Sequence, residues 1–143
     1  MARFNIRVYG IIINDNQEVL VSDELRFGRT FTKFPGGGLE WGEGTAEAIK
    51  REIQEELGLE TVIGELFYVN DFFQQSAFKK KDQLISFYYY VDQIDYSAIL
   101  TTNHEVPITE EGEKFRWIPL SELNAELFTF PIDKVVAERL TIR

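Results

Sequence analysis

Three glutamates lie close together near the middle of the chain. Glu52, Glu55 and Glu56 occupy positions i, i+3 and i+4 of the segment 45–57, whose residues are good helix formers. At about 100° per residue, this spacing places the three carboxylates on one face of a helix. Like charges placed in this way destabilise a helix by a few tenths of a kcal/mol per pair, and a bound divalent cation would reverse that cost. The spacing indicates a metal site, although an isolated group of this kind is more often a solvated surface.

The residues around these glutamates predict how the helix is held. Thr45 is a suitable N-cap or first-turn residue, and Gly58 is a suitable C-terminal stop. One side of the helix is apolar, with Ala46, Ile49, Ile53 and Leu57. We expect this stripe to pack on a sheet, so that the acids border a cleft. Ala48 falls among the acids and is expected to leave space for a metal ion, water and a phosphate oxygen.

A glycine-rich stretch precedes the helix. Pro35 is followed by Gly36, Gly37 and Gly38, and this run is expected to form an irregular loop that enters the helix. The run lacks the Gly-Lys-Ser/Thr ending of a phosphate-binding P-loop. Its expected role is therefore to shape the backbone.

The elements that must position these residues follow from the apolar pattern. Two hairpins are predicted, one from strand 3–13 and the apolar residues 19–21, and a longer one from segments 61–73 and 82–92. Residues 22–33 are mixed and charged, and residues 93–113 are irregular. A short strand is predicted at 115–118, a helical turn at 121–123 and a final helix from 131 to about 140.

Composition limits the classes of function. The chain has 143 residues, which is the size of one domain, and 44% of them are hydrophobic. Its formal net charge of -9 argues against stable binding to nucleic acid or to an acidic membrane. The absence of cysteine excludes disulfides and thiolate chemistry, and it favours a cytoplasmic location. No segment has the length or flanks of a signal peptide or membrane span.

The spacing around the helix resembles a known motif. Gly37 is followed by five residues and Glu43, then by seven residues and the run from Arg51 to Leu59. This pattern matches the Nudix box at every defining position over residues 37–59. From average residue usage, a chance match somewhere in the chain is on the order of 10⁻⁷ or less. Weaker similarity covers most of the chain, so it resembles a Nudix hydrolase.

The resemblance implies a fold and an activity. The expected fold is α+β: a single Nudix domain over residues 1–143, an α/β/α sandwich around a mixed β-sheet, with the box as loop, helix and loop. The expected reaction is attack of water at phosphorus, which cleaves a phosphoanhydride bond in a nucleoside triphosphate, nucleotide sugar, ADP-ribose or dinucleotide. Mg²⁺ is the expected cofactor and Mn²⁺ a substitute. A non-catalytic nucleotide sensor is the alternative, and homodimerisation is a further hypothesis because many relatives dimerise.

The resemblance also assigns roles by position. The expected metal ligands are the Gly36 carbonyl and the carboxylates of Glu52, Glu55 and Glu56. The expected structural residues of the box are Gly37, Glu43 and Gly58, with Glu43 paired to Arg51. This pair would fix the loop against the helix.

For other residues the sequence leaves two alternatives, a role at the site or an ordinary position on the surface. The resemblance leaves the general base open among Glu52, Glu55 and a distant carboxylate. For the distant one Glu111 is expected, because its position before Trp117 resembles that of a metal-binding glutamate in relatives, and the alternatives are Glu110 and Glu105. Three cations in the loop that leads to the box could hold substrate phosphates or be solvated surface charges, namely Arg26, Arg29 and Lys33. The only histidine, His104, is expected at the surface, with a catalytic or ligand-gating role as the alternative.

Overall fold

The computed structural model describes residues 1–141; the last two residues of the predicted domain, Ile142 and Arg143, lie outside the described residues. Its elements in chain order are β1 (Arg3–Ile11), β2 (Glu18–Arg26), β3 (Arg29–Lys33), β4 (Gly36–Gly38), α1 (Thr45–Leu57), β5 (Val62–Val69), β6 (Asp82–Gln93), β7 (Gly112–Pro119) and α2 (Pro131–Thr141). Short 3-10 helices cover Tyr96–Ala98, Leu120–Glu122 and Ala125–Leu127. The chain divides into two compact units, residues 1–12 with 35–95, and residues 13–34 with 96 onward.

The first unit contains a mixed sheet and α1. Its strand order is β4-β1-β6-β5, with β1 parallel to β6 and the other neighbours antiparallel. The helix packs on this sheet through Ile49 and Ile53, which are fully buried. A Cβ added at Gly10 of β1 would lie at ordinary contact distance from the two isoleucines, 3.4 Å from Ile53 Cδ1 and 3.6 Å from Ile49 Cδ1, so Gly10 lies on the face of the sheet that packs against α1.

The second unit contains an antiparallel sheet and α2. Its strand order is β3-β2-β7. Pro131 begins α2, where a missing N–H costs no helical hydrogen bond. Lys134 ties the helix to the preceding turn, because its Nζ donates to the carbonyls of Ala125 and Phe128 at 3.2 and 2.6 Å. Phe128 is buried and stacks on Phe34 with ring centroids 4.6 Å apart.

The first predicted hairpin is wrong. Strand β1 pairs with β4 and β6, whereas β2 pairs with β3 and β7. Within residues 1–141, the pairing across the intervening turn is limited to one bridge, Ile13 with Val19. Asn14 makes the turn by accepting from the backbone N–H groups of Asn16 and Glu18, both at 3.0 Å. The apolar pattern identified two strands but carried no information about their partners.

Two other segments are more regular than the sequence indicated. Residues 22–33, expected to be without an element, form most of the β2–β3 hairpin. Residues 36–38, expected to be a loop, form β4 and pair antiparallel with β1. The backbone of a glycine can join a ladder even though its propensity for strands is low, since hydrogen bonding needs no side chain.

The remaining elements agree with expectation. The long second hairpin is present as β5 and β6, which pair antiparallel, and both helices are present. The predicted strand at 115–118 lies inside β7, and the helical turn at 121–123 is a 3-10 helix at Leu120–Glu122. Neither α-helix within residues 1–141 has the length and apolar character needed to cross a membrane.

Candidate active site

Both ends of α1 are fixed by local contacts. The N-cap is Gly44, not Thr45, and its N–H donates to Glu47 Oε1 at 2.8 Å. Thr45 lies in the first turn, and its hydroxyl is 2.5 Å from that of Tyr89 on β6. At the other end Gly58 adopts the left-handed conformation with φ 70°, as its position predicted. These contacts set the direction in which α1 presents its glutamates.

The buried face of α1 differs from the predicted stripe. Ala48, Ile49 and Ile53 are buried, whereas Ala46 is exposed and Leu57 is only half-buried. The predictions that Ala46 is part of the packing face and that Ala48 leaves open space are therefore wrong. The acidic side of the helix is turned further toward the sheet than the apolar stripe suggested, so half-buried glutamates lie beside the buried residues.

Glu52 lies directly on the glycine strand. A Cβ added at Gly37 would be 2.5 Å from the carboxylate carbon and both carboxylate oxygens of Glu52, so any side chain there would displace this carboxylate. A Cβ at Gly36, where φ is 154°, would be 2.0 Å from the carbonyl oxygen of Val8. Gly36 is required because it lies against the backbone of β1, whereas Gly37 allows the Glu52 carboxylate to lie on the strand.

Arg51 connects the loop, the strand and the helix. Its NH2 group donates to Glu43 Oε1 at 2.6 Å and to the carbonyl of Gly38 at 2.9 Å. Its NH1 group donates to Glu52 Oε1 at 3.0 Å and to Glu55 Oε2 at 3.2 Å. The hydrogen bonds that Arg51 donates to Glu43 hold the pKa of Glu43 below its usual range and raise the pKa of Arg51. The expected ion pair is present in the structure.

We use the name acid cluster for the three glutamates that hydrogen-bond to this arginine together with the glutamate that follows Glu55 on α1. Its members are Glu43, Glu52, Glu55 and Glu56. Carboxylates and a backbone carbonyl are the hard oxygen ligands that Mg²⁺ prefers, and the approach of Glu52 to Gly37 forms a cradle that a Cβ would fill. The donors therefore fit a divalent ion. As the side chains stand, no three His, Cys, Asp or Glu groups among residues 1–141 are arranged around one ion position.

Sequence reasoning missed a second arginine near the acid cluster. Arg7 on β1 is half-buried, and its NH1 would lie 3.3 Å from a Cβ added at Gly38. Burial works against the charge of this guanidinium, but Tyr9, Glu52 and Glu56 outweigh it, so the pKa of Arg7 is raised. A signal was available, because polar residues alternate with apolar ones along β1 and place Arg7 on its polar face.

The other predicted site residues lie in the second unit. Glu111 accepts a hydrogen bond from the N–H of Phe27 at 3.3 Å, at the turn between β2 and β3. Arg26 and Arg29 are paired residues at the end of that hairpin, so the expectation that they lie in an irregular loop is wrong. Arg26 NH2 is 2.6 Å from Glu24 Oε2. Their roles toward a substrate remain predictions, as do those of the acid cluster.

His104 is not a surface residue. Its side chain is 6% exposed, and its Nε2 lies 2.7 Å from Asp23 Oδ2, while its Nδ1 lies 2.6 Å from the hydroxyl of Thr102. Asp23 is buried and also accepts from Arg116 Nε at 2.7 Å and from Thr32 Oγ1 at 2.6 Å. Burial opposes the charge of Asp23, but the hydrogen bonds prevail and lower its pKa. We call these five residues the Asp23 network.

Comparison with known proteins gives one consistent family. The model of the NUDIX domain matches residues 3–139. An 8-oxo-dGTP diphosphatase of Escherichia coli K12 is 28% identical over 140 residues, which cover 96% of this chain and 97% of the relative. The nucleoside triphosphatase NudI of Escherichia coli O139:H28 is 30% identical over 112 residues, which cover 76% of this chain and 71% of the relative.

Solved structures show the same fold. A MutT structure from work on Aliivibrio salmonicida and Vibrio cholerae has a TM-score of 0.69 and 24% identity, and the match covers 97% of this chain and 98% of the other. The Escherichia coli ORF135 protein has a TM-score of 0.70 and 19% identity, covering 96% of this chain and 88% of the other. At these identities the likeness concerns the fold alone. The prediction of an α+β fold with a mixed sheet and the box helix is confirmed.

Proposed function

The chain belongs to the Nudix family, and from that premise we propose that it cleaves a phosphoanhydride bond in a small nucleotide at the acid cluster, with a divalent metal ion as cofactor. It is an enzyme of the pyrophosphohydrolase class within that family. The observation that carries the proposal is the clamp around Glu52. Its carboxylate rests on the Gly37 backbone and is held by Arg51, which is itself fixed by Glu43.

We propose a nucleoside triphosphate as the substrate class. Two relatives that span most of this chain are named for nucleoside triphosphates, an 8-oxo-dGTP diphosphatase and a nucleoside triphosphatase. Water would add at phosphorus, and the cleaved products would be a nucleoside monophosphate and pyrophosphate. Nucleotide sugars, ADP-ribose and dinucleotides are the other substrates that the resemblance to the family implies, and the substrate panel includes them.

Nudix hydrolases generally use divalent metal ions, and we propose Mg²⁺, with Mn²⁺ as a substitute. Glu52, Glu55, Glu56 and the Gly36 carbonyl would hold it. When bound, the ion would neutralise charge on the phosphates and lower the pKa of the attacking water. Arg51 would act as a positioning residue, since it orients Glu52 and Glu55 through hydrogen bonds.

The proton of the attacking water needs an acceptor. Glu52 and Glu55 are candidates within the acid cluster, and Glu111 is the candidate outside it. Glu111 is held at the β2–β3 turn by its hydrogen bond from Phe27. Arg26 and Arg29 at the same hairpin are proposed to contact substrate phosphates. An activity profile against pH for Glu111→Gln would distinguish these candidates, because loss of the base removes the acidic limb of the profile.

The first experiment is hydrolysis of a substrate panel. Nucleoside triphosphates, including 8-oxo-dGTP, are compared with ADP-ribose, nucleotide sugars and dinucleoside polyphosphates, in Mg²⁺, Mn²⁺ or EDTA, and products are identified by chromatography. We expect turnover of triphosphates that requires the metal and releases pyrophosphate. Turnover confined to another class would overturn the substrate proposal. Binding without any turnover would favour the alternative, a nucleotide sensor.

We also propose that the protein acts in the cytoplasm as a single domain. A chain without cysteine suits a reducing compartment, and a chain of net charge -9 is a poor partner for nucleic acid. Homodimerisation stays a prediction. Light scattering of the purified protein gives the mass directly, and a monomer at all concentrations would contradict it.

A further inference from the structure

Arg7 is a cation beside the acid cluster that has no part in the mechanism above. We infer that Arg7 binds a phosphate oxygen of the substrate next to the carboxylates of α1. This inference rests on the proposed function, because it concerns the same site, and it names the chemical group that Arg7 recognises. Three observations support it: the position of the guanidinium, the N–H groups on its terminal nitrogens that donate to no protein acceptor within residues 1–141, and the charge around it.

The edge strand β4 brings Arg7 and the acid cluster together. Gly37 faces α1, where Glu52 covers it, and the next residue, Gly38, faces the opposite side, where Arg7 NH1 covers it. Arg51 reaches the carbonyl of Gly38 from the helix. Because β4 is the last strand of its sheet, side chains from both faces can meet beyond its open edge.

The stem of Arg7 is held in place by its own strand. Gly10 faces α1, so by alternation Arg7 and Tyr9 point to the other face of β1. Tyr9 stacks on the buried ring of Tyr88 with centroids 5.0 Å apart, and its hydroxyl accepts a 3.4 Å hydrogen bond from Arg7 Nε. The guanidinium is therefore placed in advance, which reduces the entropy lost when it binds an anion.

The donors of Arg7 contrast with those of Arg51. Within residues 1–141, the terminal nitrogens of Arg7 donate to no protein acceptor and form no ion pair, and its one side-chain hydrogen bond is the long one to Tyr9. Arg51 instead donates through all three nitrogens to Gly38 and three glutamates. Arg51 would have to break these bonds to contact a substrate. The terminal nitrogens of Arg7 could contact a substrate without breaking any hydrogen bond to the protein.

Charge also favours a phosphate as the ligand. Glu52 and Glu56 are close enough to contribute to the raised pKa of Arg7, yet neither pairs with it directly. A polyphosphate entering among carboxylates is repelled unless cations accompany it. The planar guanidinium can offer two parallel N–H groups to one phosphate, which a point charge cannot do. Alternatively, Arg7 could only reduce the repulsion between the glutamates without contacting a phosphate. This alternative predicts different results for the Arg7 variants.

The test uses inorganic pyrophosphate as the probe. Its affinity is measured by calorimetry at saturating Mn²⁺ for the parent, Arg7→Gln and Arg7→Lys. Arg3→Gln is the matched control, since Arg3 lies on the same strand and face and the charge change is identical. We expect roughly 10-fold or greater weakening for Arg7→Gln, an intermediate value for Arg7→Lys, and less than about twofold for the control. Parental affinity in Arg7→Gln would overturn the inference.

A second readout separates phosphate binding from charge balance. Mn²⁺ binding without pyrophosphate is followed by electron paramagnetic resonance. If Arg7 contacts phosphate, Arg7→Gln should bind Mn²⁺ at least as tightly as the parent, because a neighbouring cation has been removed. Loss of Mn²⁺ binding in step with pyrophosphate binding would show that Arg7 only organises the acid cluster, and the inference would fail.

The design stays decisive if Arg7→Gln does not fold. Arg7→Lys retains the charge and loses the two-pronged donor, so parental pyrophosphate affinity in that variant would reject bidentate binding. Failure of the proposed function is distinguishable as well. If the parent hydrolyses no nucleotide but Arg7→Gln still weakens pyrophosphate binding, the phosphate contact stands and the reaction does not. If the parent is active and Arg7→Gln binds pyrophosphate normally, only the inference fails.

Discussion

The Asp23 network and the acid cluster with its Arg51 both combine carboxylates with side chains that donate hydrogen bonds, but in opposite proportions. In the Asp23 network one buried carboxylate is surrounded by an arginine, a histidine and a hydroxyl, at distances of 2.6 to 2.7 Å. In the acid cluster one arginine serves three glutamates. Donor side chains therefore outnumber carboxylates around Asp23, and carboxylates outnumber donor side chains around Arg51.

The difference indicates separate purposes. A buried carboxylate that lacks partners is costly, so complete pairing of Asp23 suits a structural role. Surplus negative charge is tolerable where the side chains are partly exposed, as Glu55 is, and it is useful where a cation must bind. Substitutions in the Asp23 network should therefore change stability, and substitutions in the acid cluster should change metal-dependent activity.

The largest expected effect is on activity in Glu52→Gln. This change keeps the side-chain volume but removes an anionic ligand from the cradle at Gly37. We expect a loss of roughly 1000-fold in kcat/KM, about 4 kcal/mol, because metal-ion stabilisation of the transition state is worth several kcal/mol. The melting temperature should be unchanged or slightly raised, since like-charge repulsion on α1 falls.

Steady-state kinetics with the preferred nucleotide measures this loss. The exposed Glu65 on β5 provides a control, because Glu65→Gln makes the same charge change at a residue outside the acid cluster. Near-parental rates in Glu52→Gln would remove Glu52 from the metal site. A large drop in melting temperature would instead make the acid cluster a structural network like that of Asp23.

The second effect is on stability in Asp23→Asn. Removing the charge leaves Arg116 and His104 without their common partner. Breaking a fully buried pair costs about 3 to 5 kcal/mol, and because Arg116 is partly exposed we expect about 2 to 3 kcal/mol. Urea unfolding followed by circular dichroism measures the difference. Asp15→Asn in the exposed β1–β2 turn should change stability by less than about 0.5 kcal/mol.

A smaller effect is expected for Glu43→Gln. Glu43 does not contact the proposed ion but fixes Arg51, which orients Glu52 and Glu55. Loss of such a supporting hydrogen bond costs roughly 10-fold in metal affinity, so the Mg²⁺ concentration for half-maximal activity should rise by about that factor. Glu40→Gln is the matched control, since Glu40 is 63% exposed and lies 3.7 Å from Arg51. Equal effects of the two substitutions would contradict a positioning role for Glu43.

The sequence predicted the acid cluster better than the Asp23 network for a physical reason. Helical geometry relates Glu52, Glu55 and Glu56 by fixed angles, so local spacing was enough to place them on one face. Asp23 and Arg116 are 93 positions apart and meet only through the pairing of β2 with β7. Local pattern contains no such pairing, and for the same reason the hairpin predicted between β1 and β2 was wrong.

Burial was the other quantity that local pattern predicted poorly. A helical wheel placed Ala46 with the packing residues, but the acidic face is turned toward the sheet so that Glu52 can lie on Gly37. Glycine allows this approach because it has no side chain, and a scale of residue hydrophobicity cannot register it. The burial of His104 was likewise not predicted, since a histidine in an irregular segment can be buried when a distant carboxylate accepts a hydrogen bond from its ring.

The smallest expected effect is the dependence of stability on pH. The pKa of Asp23 is lowered in the folded protein, so its stabilisation is complete above its unfolded pKa of about 3.9 and is lost as pH falls through the folded value. The stability difference between the parent and Asp23→Asn should therefore be constant from about pH 6 to 5 and should shrink below about pH 4. The pKa of Glu43 is also lowered, but Glu43 is only partly buried whereas Asp23 is almost fully buried, so solvent screens Glu43 more and Glu43→Gln should change the loss of stability at low pH less. Urea unfolding at successive pH values measures both differences. The two substitutions could instead reduce the loss of stability at low pH by the same amount. In that case burial would not distinguish the two regions, and the contrast between the fully paired Asp23 network and the acid cluster would have no electrostatic basis.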